Sequence, residues 1–354
     1  MHGCSERAGG SPQAGATAGS RRKTCLLMMP TTLFHYPPEL CRALESMGYS
    51  VTLANDEYPS NPLGKAMGKL DWSLSRWWTR RAVNRRFLNG RKWDLVLIFK
   101  GRGVGPELIE DLRKHARRIV GYHYDALNYD RSMKRWSNLV DRISTFDPRD
   151  AREQGWDLVR LFAACKPPSE PRPKRYLLSA VLRNHSNRLA YIDRITEAVP
   201  GAETFIYFFE KDVLTMLINL LRNPKAYWKW RKHIHFKALP YDTFVEVLTV
   251  SEFTIDYAHP RQQGSTMRCS EAQALGAKLI TNNPHLEQPG TQLGDHVILC
   301  PDDFSQSELR ARVEAMTGRY PPNVERTLVT FLGEVLGTEQ KQATGEDVRL
   351  AKPA

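Results

Sequence analysis

Residues 253–283 have the sequence FTIDYAHPRQQGSTMRCSEAQALGAKLITNN. Phe253–Tyr257 is an apolar run of the length of one strand, and Lys278–Thr281 is a second such run. Between them a polar loop leads into a short helical stretch, Ser270–Leu275, and Gly276 follows it as glycine commonly follows the end of a helix. A strand, a helix and a strand in this order predict parallel strands with the helix packed on one face of the sheet.

The same alternation extends in both directions along the chain. The other predicted strands are Thr24–Met29, Ser50–Ala54, Leu95–Phe99, Ile119–Tyr122, Arg142–Phe146, Arg175–Val181, Glu203–Phe209, Ile234–Ala238 and His296–Cys300. The predicted helices include Pro38–Met47, Pro106–Arg118, Asn187–Ala198 and Asp242–Thr249. Continuously apolar strands are typical of parallel sheets that helices cover on both faces. The sequence therefore predicts an α/β protein with doubly wound, Rossmann-like sheets.

A proline-rich segment divides this pattern into two halves. Residues 166–174 contain four prolines with charged residues between them, and such a segment is extended and semi-rigid, as linkers often are. We predict a disordered tail at 1–23, a first domain at 24–165, the linker at 166–174 and a second domain at 175–310. A helical segment at 311–337 is expected to return to the first domain, before a disordered tail at 338–354.

The composition excludes several classes of protein. The 354 residues carry a net charge of +12 and are 41% apolar, which is too many apolar residues for a disordered chain and too few for a polytopic membrane protein. No apolar run reaches the roughly 18–20 residues that span a bilayer. The six cysteines form no CxxC pair and no histidine cluster accompanies them, so a zinc site is not expected. Scattered cysteines favour reduced thiols and a cytoplasmic location.

The loop and helix start within 253–283 carry groups that suit an anion. Gly264 lets the backbone approach a ligand closely, and Ser265 and Thr266 can cap the helix, whose free N–H groups then face the ligand. Arg268 adds a guanidinium that matches phosphate oxygens, and Glu271 can accept two hydrogen bonds from a vicinal diol such as a ribose. These groups predict a nucleotide-diphosphate site. The alternative is an ordinary helix start with a surface salt bridge.

The segment resembles the nucleotide-sugar-binding motif of GT-B-fold glycosyltransferases, in the form found in bacterial capsular and lipopolysaccharide biosynthesis proteins. The matching positions are Pro260, Gln262, Gly264, Thr266, Met267, Arg268, Glu271, Ala272, Ala274, Leu275, Gly276, Lys278, Leu279, Ile280, Thr281 and Asn283, and the chain differs from the motif at Arg261, Gln263 and Ser265. The resemblance implies two Rossmann-like domains facing a cleft, with a nucleotide-sugar donor in the second domain and a glycan or lipid-linked acceptor in the first. It also implies transfer without a metal ion or a cofactor besides the donor, usually with retention at the anomeric carbon. Through the resemblance, Gln262 and Met267 join the predicted donor site.

Three further segments resemble the same enzymes. Val181–Arg188 is similar to the first strand and phosphate-facing loop of their donor domain, which implies that Arg183 or Arg188 faces the diphosphate. Lys237–Asp242 is similar to the loop near the donor base, and this places Tyr241 at the site. Asp141–Asp150 resembles the segment near the end of their first domain.

The ends of two predicted strands in the first domain supply the remaining candidates. Alternation places His123 and Asp125 on one face of the extended chain. We predict that Asp125 takes the proton of the acceptor and that His123 holds a sugar hydroxyl; the alternative is that Asp125 caps a turn and His123 is structural. Lys100 and Arg102 lie in a glycine-rich loop. They are predicted to meet an anionic acceptor or a donor phosphate, or else to be solvated charges.

Leu70–Trp93 is rich in tryptophan and arginine, and three interpretations of it stay open. An anionic membrane surface suits both residue types, since tryptophan sits at headgroup depth and arginine neutralises lipid phosphate. The tryptophans can instead be core residues with the arginines solvated, and nucleic acid is the least favoured partner. Lys225–Lys237 repeats this chemistry and favours an interface with a lipid-linked substrate.

These patterns predict a cytoplasmic glycosyltransferase of bacterial cell-surface polysaccharide biosynthesis, peripheral on the inner face of the cytoplasmic membrane. Two alternatives remain open: a nucleotide-sugar epimerase of the same fold, and a non-catalytic nucleotide-sugar-binding scaffold protein.

Overall fold

The structure, a computed structural model, describes residues 21–31, 36–61, 73–170, 172–184, 187–258, 263–287, 296–318 and 327–338. Two six-stranded sheets organise these residues, and the strand pairs within both sheets are parallel. The predicted α/β architecture of two doubly wound domains is confirmed.

The first sheet has the strand order β2-β1-β3-β4-β5-β6. Its strands are β1 (Lys23–Met28), β2 (Tyr49–Ala54), β3 (Leu95–Phe99), β4 (Ile119–His123), β5 (Arg142–Thr145) and β6 (Asp157–Leu158). The helices are α1 (Tyr36–Ser46), α2 (Ser73–Val83), α3 (Pro106–Arg113) and α4 (Pro148–Gln154), and a π-helix, Asn84–Leu88, extends α2. Alternate residues of β1 and β3 enter two separate core clusters, one on each face of the sheet, so these strands are continuously apolar.

The second sheet has the strand order β12-β11-β10-β7-β8-β9. Its strands are β7 (Tyr176–Arg183), β8 (Thr204–Phe209), β9 (Ile234–His235), β10 (Ser251–Asp256), β11 (Lys278–Thr281) and β12 (Val297–Leu299). The helices are α5 (Arg188–Ala198), α6 (Val213–Arg222), α7 (Pro224–Trp230), α8 (Tyr241–Thr249), α9 (Met267–Ala274) and α10 (Gln306–Met316). The strand order reverses at β7 and β10, and ligands of open parallel sheets bind at such a reversal, beyond the carboxyl ends of the strands.

A last helix, α11 (Leu328–Leu336), lies on the first domain, where it packs against α1, β4 and β5. Phe331, Leu332, Val335 and Leu336 are buried in the larger core cluster of that domain. Arg142 donates to two carbonyl oxygens of the last turn of the helix. The chain therefore returns to the first domain after it has built the second.

Some element boundaries differ from the expected ones. The helix predicted at Pro106–Arg118 ends at Arg113, because the chain beyond it forms a parallel bridge with Trp93. The helix predicted at Ser270–Leu275 begins three residues earlier, at Met267. The helices α2, α4, α6 and α7 were not among the predicted elements.

The tryptophan-rich stretch is split between core and surface. Trp93 is buried and its indole N–H donates to the Phe87 carbonyl oxygen (3.0 Å). Trp77 and Trp78 are exposed on α2, while Arg80 of the same helix pairs with Asp111 (2.6 Å). Trp72 lies outside the described residues. Of the helices that the structure describes, none combines the length and the hydropathy of a bilayer-spanning segment.

Candidate functional site

Arg268 lies near the start of α9, beyond the carboxyl end of β10. Its Nη2 donates to the Val181 carbonyl oxygen of β7 (2.8 Å), and its guanidinium lies 4.2 Å from the ring centroid of Phe244. Its Nε and Nη1 atoms are buried and have no hydrogen-bond partner among the described residues. The side chain is thus held on two sides, while the three N–H groups of Nε and Nη1 have no acceptor among the described residues, and a phosphate oxygen accepts from such groups.

The two arginines around the first loop of the second domain have different environments. Arg183 is exposed, whereas Arg188 donates to the carbonyl oxygens of Tyr257 (2.9 Å) and Arg183 (3.2 Å). Burial lowers the pKa of Arg188, and the nearby Asp256 carboxylate opposes that shift. The Nε of Arg188 has no partner in the described part of the chain. Of the two predicted phosphate ligands, the structure therefore turns Arg188 inward, towards Arg268.

Asp256, the last residue of β10, is a buried acid that sequence analysis missed. Burial raises its pKa, while Arg188, Arg268 and the hydroxyls of Thr266 and Thr281 oppose the shift. A signal was present in the sequence, because an acidic residue ends an apolar strand at the edge where ligands bind. Thr266 does occupy the N-cap position of α9, but its side chain makes no capping bond there and instead binds Asp256.

The loop before α9 is fixed to the first domain. The amides of Gln263 and Gly264 donate to one carboxylate oxygen of Asp147, at 2.8 and 3.4 Å. A Cβ added to Gly264 would lie 2.5 Å from the carbonyl oxygen of Phe146. Gly264 therefore allows a close approach of the first domain, and these amides face a carboxylate. The approach of a ligand to this loop stays a prediction.

The remaining residues of the predicted motif also divide between roles. Met267 packs against the core cluster of the first domain, so in this structure it contributes to the domain interface. The Ser270 hydroxyl donates to the Leu161 carbonyl oxygen (3.1 Å) and adds a second link across that interface. Ser265 is half-buried beside them, and Gln262 lies outside the described residues.

Glu271 is only 4% exposed and accepts a hydrogen bond from the Tyr241 hydroxyl (3.5 Å). Burial raises the pKa of Tyr36 of the first domain, and the nearby charge of Glu271 raises it further. One oxygen of Glu271 thus has a protein partner in this structure, and its hydrogen bonds to a vicinal diol stay a prediction. Tyr241 of the second domain and Tyr36 of the first domain both lie close to Glu271.

Burial raises the pKa of Glu271 to about 7, although Arg268 and Tyr241 favour its charged form. Between pH 4.5 and 7 the folded protein then holds a proton that the unfolded chain has released, so this group makes the free energy of unfolding fall as pH rises. The variant Glu271→Gln has no proton to release at this position. We therefore expect the free energy of unfolding of the wild type to fall by about 3 kcal/mol, relative to that of the variant, between about pH 4.5 and pH 8. Urea denaturation of both proteins across that range measures the difference.

The matched control for this prediction is Glu45→Gln, at an exposed glutamate on α1. This control should follow the wild type at every pH. A constant difference between wild type and Glu271→Gln would contradict the assigned proton equilibrium.

In the first domain, His123 and Asp125 have different accessibility. His123 is fully buried at the end of β4, and neither of its ring nitrogens has a hydrogen-bond partner among the described residues. Burial lowers the pKa of His123 to about 4, so the ring is neutral at pH 7. The Asp125 side chain is partly exposed and forms an ion pair with the Lys100 ammonium. Of the two, Asp125 is thus the group that an acceptor can reach.

Lys100 and Arg102 are both neutralised by acids of the same domain. Lys100 also lies 3.6 Å from Asp130, and Arg102 binds Asp130 at 2.8 Å. Burial alone would lower the pKa of Lys100, but the nearby acids raise it. The positive φ of Lys100 (68°) is uncommon for a residue with a side chain. The alternative of solvated charges is therefore corrected to a network of mixed charge, and the contact of these cations with an anionic ligand stays a prediction.

Two more acids belong to this network, and sequence analysis missed both. The Asp56 carboxylate accepts from the Arg102 amide (3.1 Å), and burial raises its pKa to about 6. Burial and the neighbouring Asp56 raise the pKa of Glu57 to about 7. The cleft edge of the first domain can thus accept or release protons near neutral pH. In the described part of the chain, His, Cys, Asp and Glu side chains form no group of three or more suited to a metal ion.

No protein-family model matches the sequence, and no curated protein matches it significantly. Solved structures do match. AviGT4, a glycosyltransferase involved in avilamycin A biosynthesis, matches with a TM-score of 0.54 at 12% identity, over 88% of this chain and 93% of that chain. Sucrose-phosphate synthase from Thermosynechococcus elongatus matches with a TM-score of 0.54 at 10% identity, over 90% of this chain and 99% of that chain. A UDP-GlcNAc 2-epimerase from Methanocaldococcus jannaschii matches with a TM-score of 0.48 at 12% identity, over 89% of this chain and 100% of that chain. With its two parallel sheets and this likeness to AviGT4 and sucrose-phosphate synthase, the chain has the GT-B fold of two Rossmann-like domains.

Proposed function

We propose that the protein is a glycosyltransferase that moves a sugar from a nucleotide-sugar donor to an acceptor hydroxyl. One observation carries the proposal: the buried guanidinium groups of Arg188 and Arg268 converge at the strand-order reversal of the second sheet, with N–H groups that have no partner among the described residues. Buried donors without partners are costly in a folded protein. A diphosphate bound there would satisfy them.

In the proposed reaction the acceptor oxygen forms a bond to the anomeric carbon, and the bond between that carbon and the diphosphate oxygen breaks. Negative charge develops on the leaving diphosphate, and Arg268 and Arg188 are already oriented to stabilise it. These two cations supply the charge stabilisation in this proposal without a metal ion or an additional cofactor. Asp256 lies close enough to both arginines for their charges to favour its charged form, while burial raises its pKa.

On the acceptor side we assign the proton transfer to Asp125. It lies at the carboxyl edge of the first sheet and is held by the Lys100 ammonium, so its position is fixed before the acceptor arrives. His123 is fully buried beside it, so we assign it no contact with the acceptor in this proposal.

The resemblance of residues 253–283 supports a finer proposal. It points to bacterial cell-surface polysaccharide as the product, to a glycan or lipid-linked glycan as the acceptor, and to retention at the anomeric carbon. The five described cysteines are all free thiols, and this supports a reducing, cytoplasmic location.

Thermal unfolding of the full chain with a panel of UDP-, GDP-, ADP- and CMP-sugars tests the donor site. A ligand at about 100 times its dissociation constant adds about 2.7 kcal/mol to the free energy of unfolding, and we expect one nucleotide class to do so. The stabilising sugar is then incubated with and without candidate glycan acceptors. Acceptor-dependent release of the nucleotide supports the proposal.

Two other outcomes would identify the alternatives. Conversion of the bound sugar to its epimer without an acceptor would indicate an epimerase. Stabilisation without any turnover would indicate a binding scaffold. No stabilisation by any nucleotide sugar would contradict the donor site itself.

A further inference from the structure

The helix α6 presents an apolar face to solvent. Val213, Leu214, Leu217, Ile218 and Leu221 are all exposed, from 41% for Ile218 to 81% for Leu221. They are spaced at positions i, i+1, i+4, i+5 and i+8, so they share one side of the helix. Isolated exposed leucines are ordinary, but a contiguous apolar patch of this kind marks an interaction surface.

The opposite side of the same helix faces the protein interior, where Met216 and Leu220 pack against the core of the second domain. Asn219 is buried and donates to the Glu210 carboxylate (3.1 Å) and to the Asn184 carbonyl oxygen (3.1 Å). The Asn184 amide also donates to Glu210 (2.6 Å). These bonds fix the rotation of α6, so its apolar face points outward as part of the fold.

Aromatic and basic side chains continue this surface into the next helix. α7 contacts α6, and its Trp228 is 67% exposed with the Arg231 guanidinium 4.6 Å from the ring centroid. Further cations are exposed beside it; they are Arg222, Lys225 and Lys232. Lys229 differs, because Asp193 and Glu197 neutralise it.

We propose that this surface, residues 213–232, binds an anionic lipid bilayer. An exposed aliphatic face, a tryptophan at its end and a rim of cations are the three features of helices that lie in a membrane interface. The aliphatic side chains bury in the acyl boundary and the cations meet the lipid phosphates. The charge of the rim favours an anionic bilayer over a second copy of this chain, which would bring a rim of the same sign against it. This binding does not depend on the proposed transferase activity.

Flotation of the full chain with vesicles tests the proposal. Vesicles of phosphatidylcholine with about one-third phosphatidylglycerol should carry the protein to the top of the gradient, and pure phosphatidylcholine should carry far less. The triple variant Leu214→Ser, Leu217→Ser and Leu221→Ser should bind the anionic vesicles at least about tenfold more weakly. These side chains are already exposed, so the melting temperature should stay close to that of the wild type.

Leu74, Trp77 and Trp78 of α2 provide the matched control, because they are also exposed and apolar. Their serine triple variant should bind the vesicles within about threefold of the wild type. A loss of binding in this control and not in the α6 variant would overturn the proposal. So would the absence of binding by the wild type, or a wild-type dimer in sedimentation velocity that the α6 variant converts to a monomer while vesicle binding is unchanged.

Discussion

Replacing Arg268 with alanine is expected to lower kcat/KM for the donor by about 10²–10³-fold. The substitution removes the guanidinium that is held by the Val181 carbonyl oxygen and by the ring of Phe244, with the N–H groups of Nε and Nη1 left for the diphosphate. Each charge-assisted hydrogen bond to the leaving group is stronger in the transition state than in the substrate, so kcat falls as well as affinity. Steady-state kinetics with the stabilising nucleotide sugar measures both constants.

Arg183→Ala is the matched control for this experiment, since Arg183 also lies next to the first loop of the second domain but is exposed. We expect its kcat/KM to stay within about threefold of the wild type, as for other exposed charges whose pairing is screened by water. Equal losses in the two variants would contradict the specific role of Arg268. Full activity of Arg268→Ala would contradict the proposed donor site.

Replacing Phe331 with alanine is expected to lower the free energy of unfolding of the first domain by about 3–5 kcal/mol. Phe331 is fully buried, and its ring contacts the rings of Phe99, Tyr122 and Phe162. The deletion leaves a cavity among aromatic side chains that β3, β4 and the chain after β6 hold in place, so the site cannot collapse to fill it. Urea denaturation followed by tryptophan fluorescence measures the loss.

Val329→Ala on the same helix is the control, because Val329 is 43% exposed. It should change the free energy of unfolding by less than about 0.5 kcal/mol. If Phe331→Ala were as mild as this control, α11 would not be part of the first-domain core.

The alternation of apolar runs predicted both sheets, because each central strand is buried on two faces and is therefore continuously apolar. Short edge strands such as β6 carry no such signal: Asp157 and Leu158 are both exposed. Lys278, one of the positions that match the motif, shows a second limit of prediction from sequence. Its side chain is buried in β11 and pairs with Glu252, so its role in this structure is in packing, which a sequence match alone does not distinguish from binding.

The donor site was predicted in part. A guanidinium after the loop is visible in the sequence, and so are the residue types around it. The partner of the loop amides is not, because Asp147 lies more than a hundred residues earlier and in the other domain. Asp56 and Asp130 were missed because only the tertiary structure brings them to Lys100 and Arg102. Asp256 differs, because its place at the end of an apolar strand was visible in the sequence.

The outward face of α6 also escaped the sequence analysis. Seven of the ten residues of α6 are apolar, which predicts a largely buried helix, and here the buried side is the one that carries Asn219. Asn219 faces inward because it binds Glu210, which Asn184 also binds. The spacing of the apolar residues does not reveal these contacts.

The position of α11 has a consequence for the order in which the protein matures during synthesis. The first domain needs Phe331, Leu332, Val335 and Leu336 to complete its hydrophobic interior, and a ribosome adds them only after the whole second domain. The amino-terminal half must therefore wait with part of its apolar surface uncovered while the carboxyl-terminal half folds. During that interval the nascent chain is open to chaperones and to aggregation, and translation speed across residues 176–336 sets how long the exposure lasts.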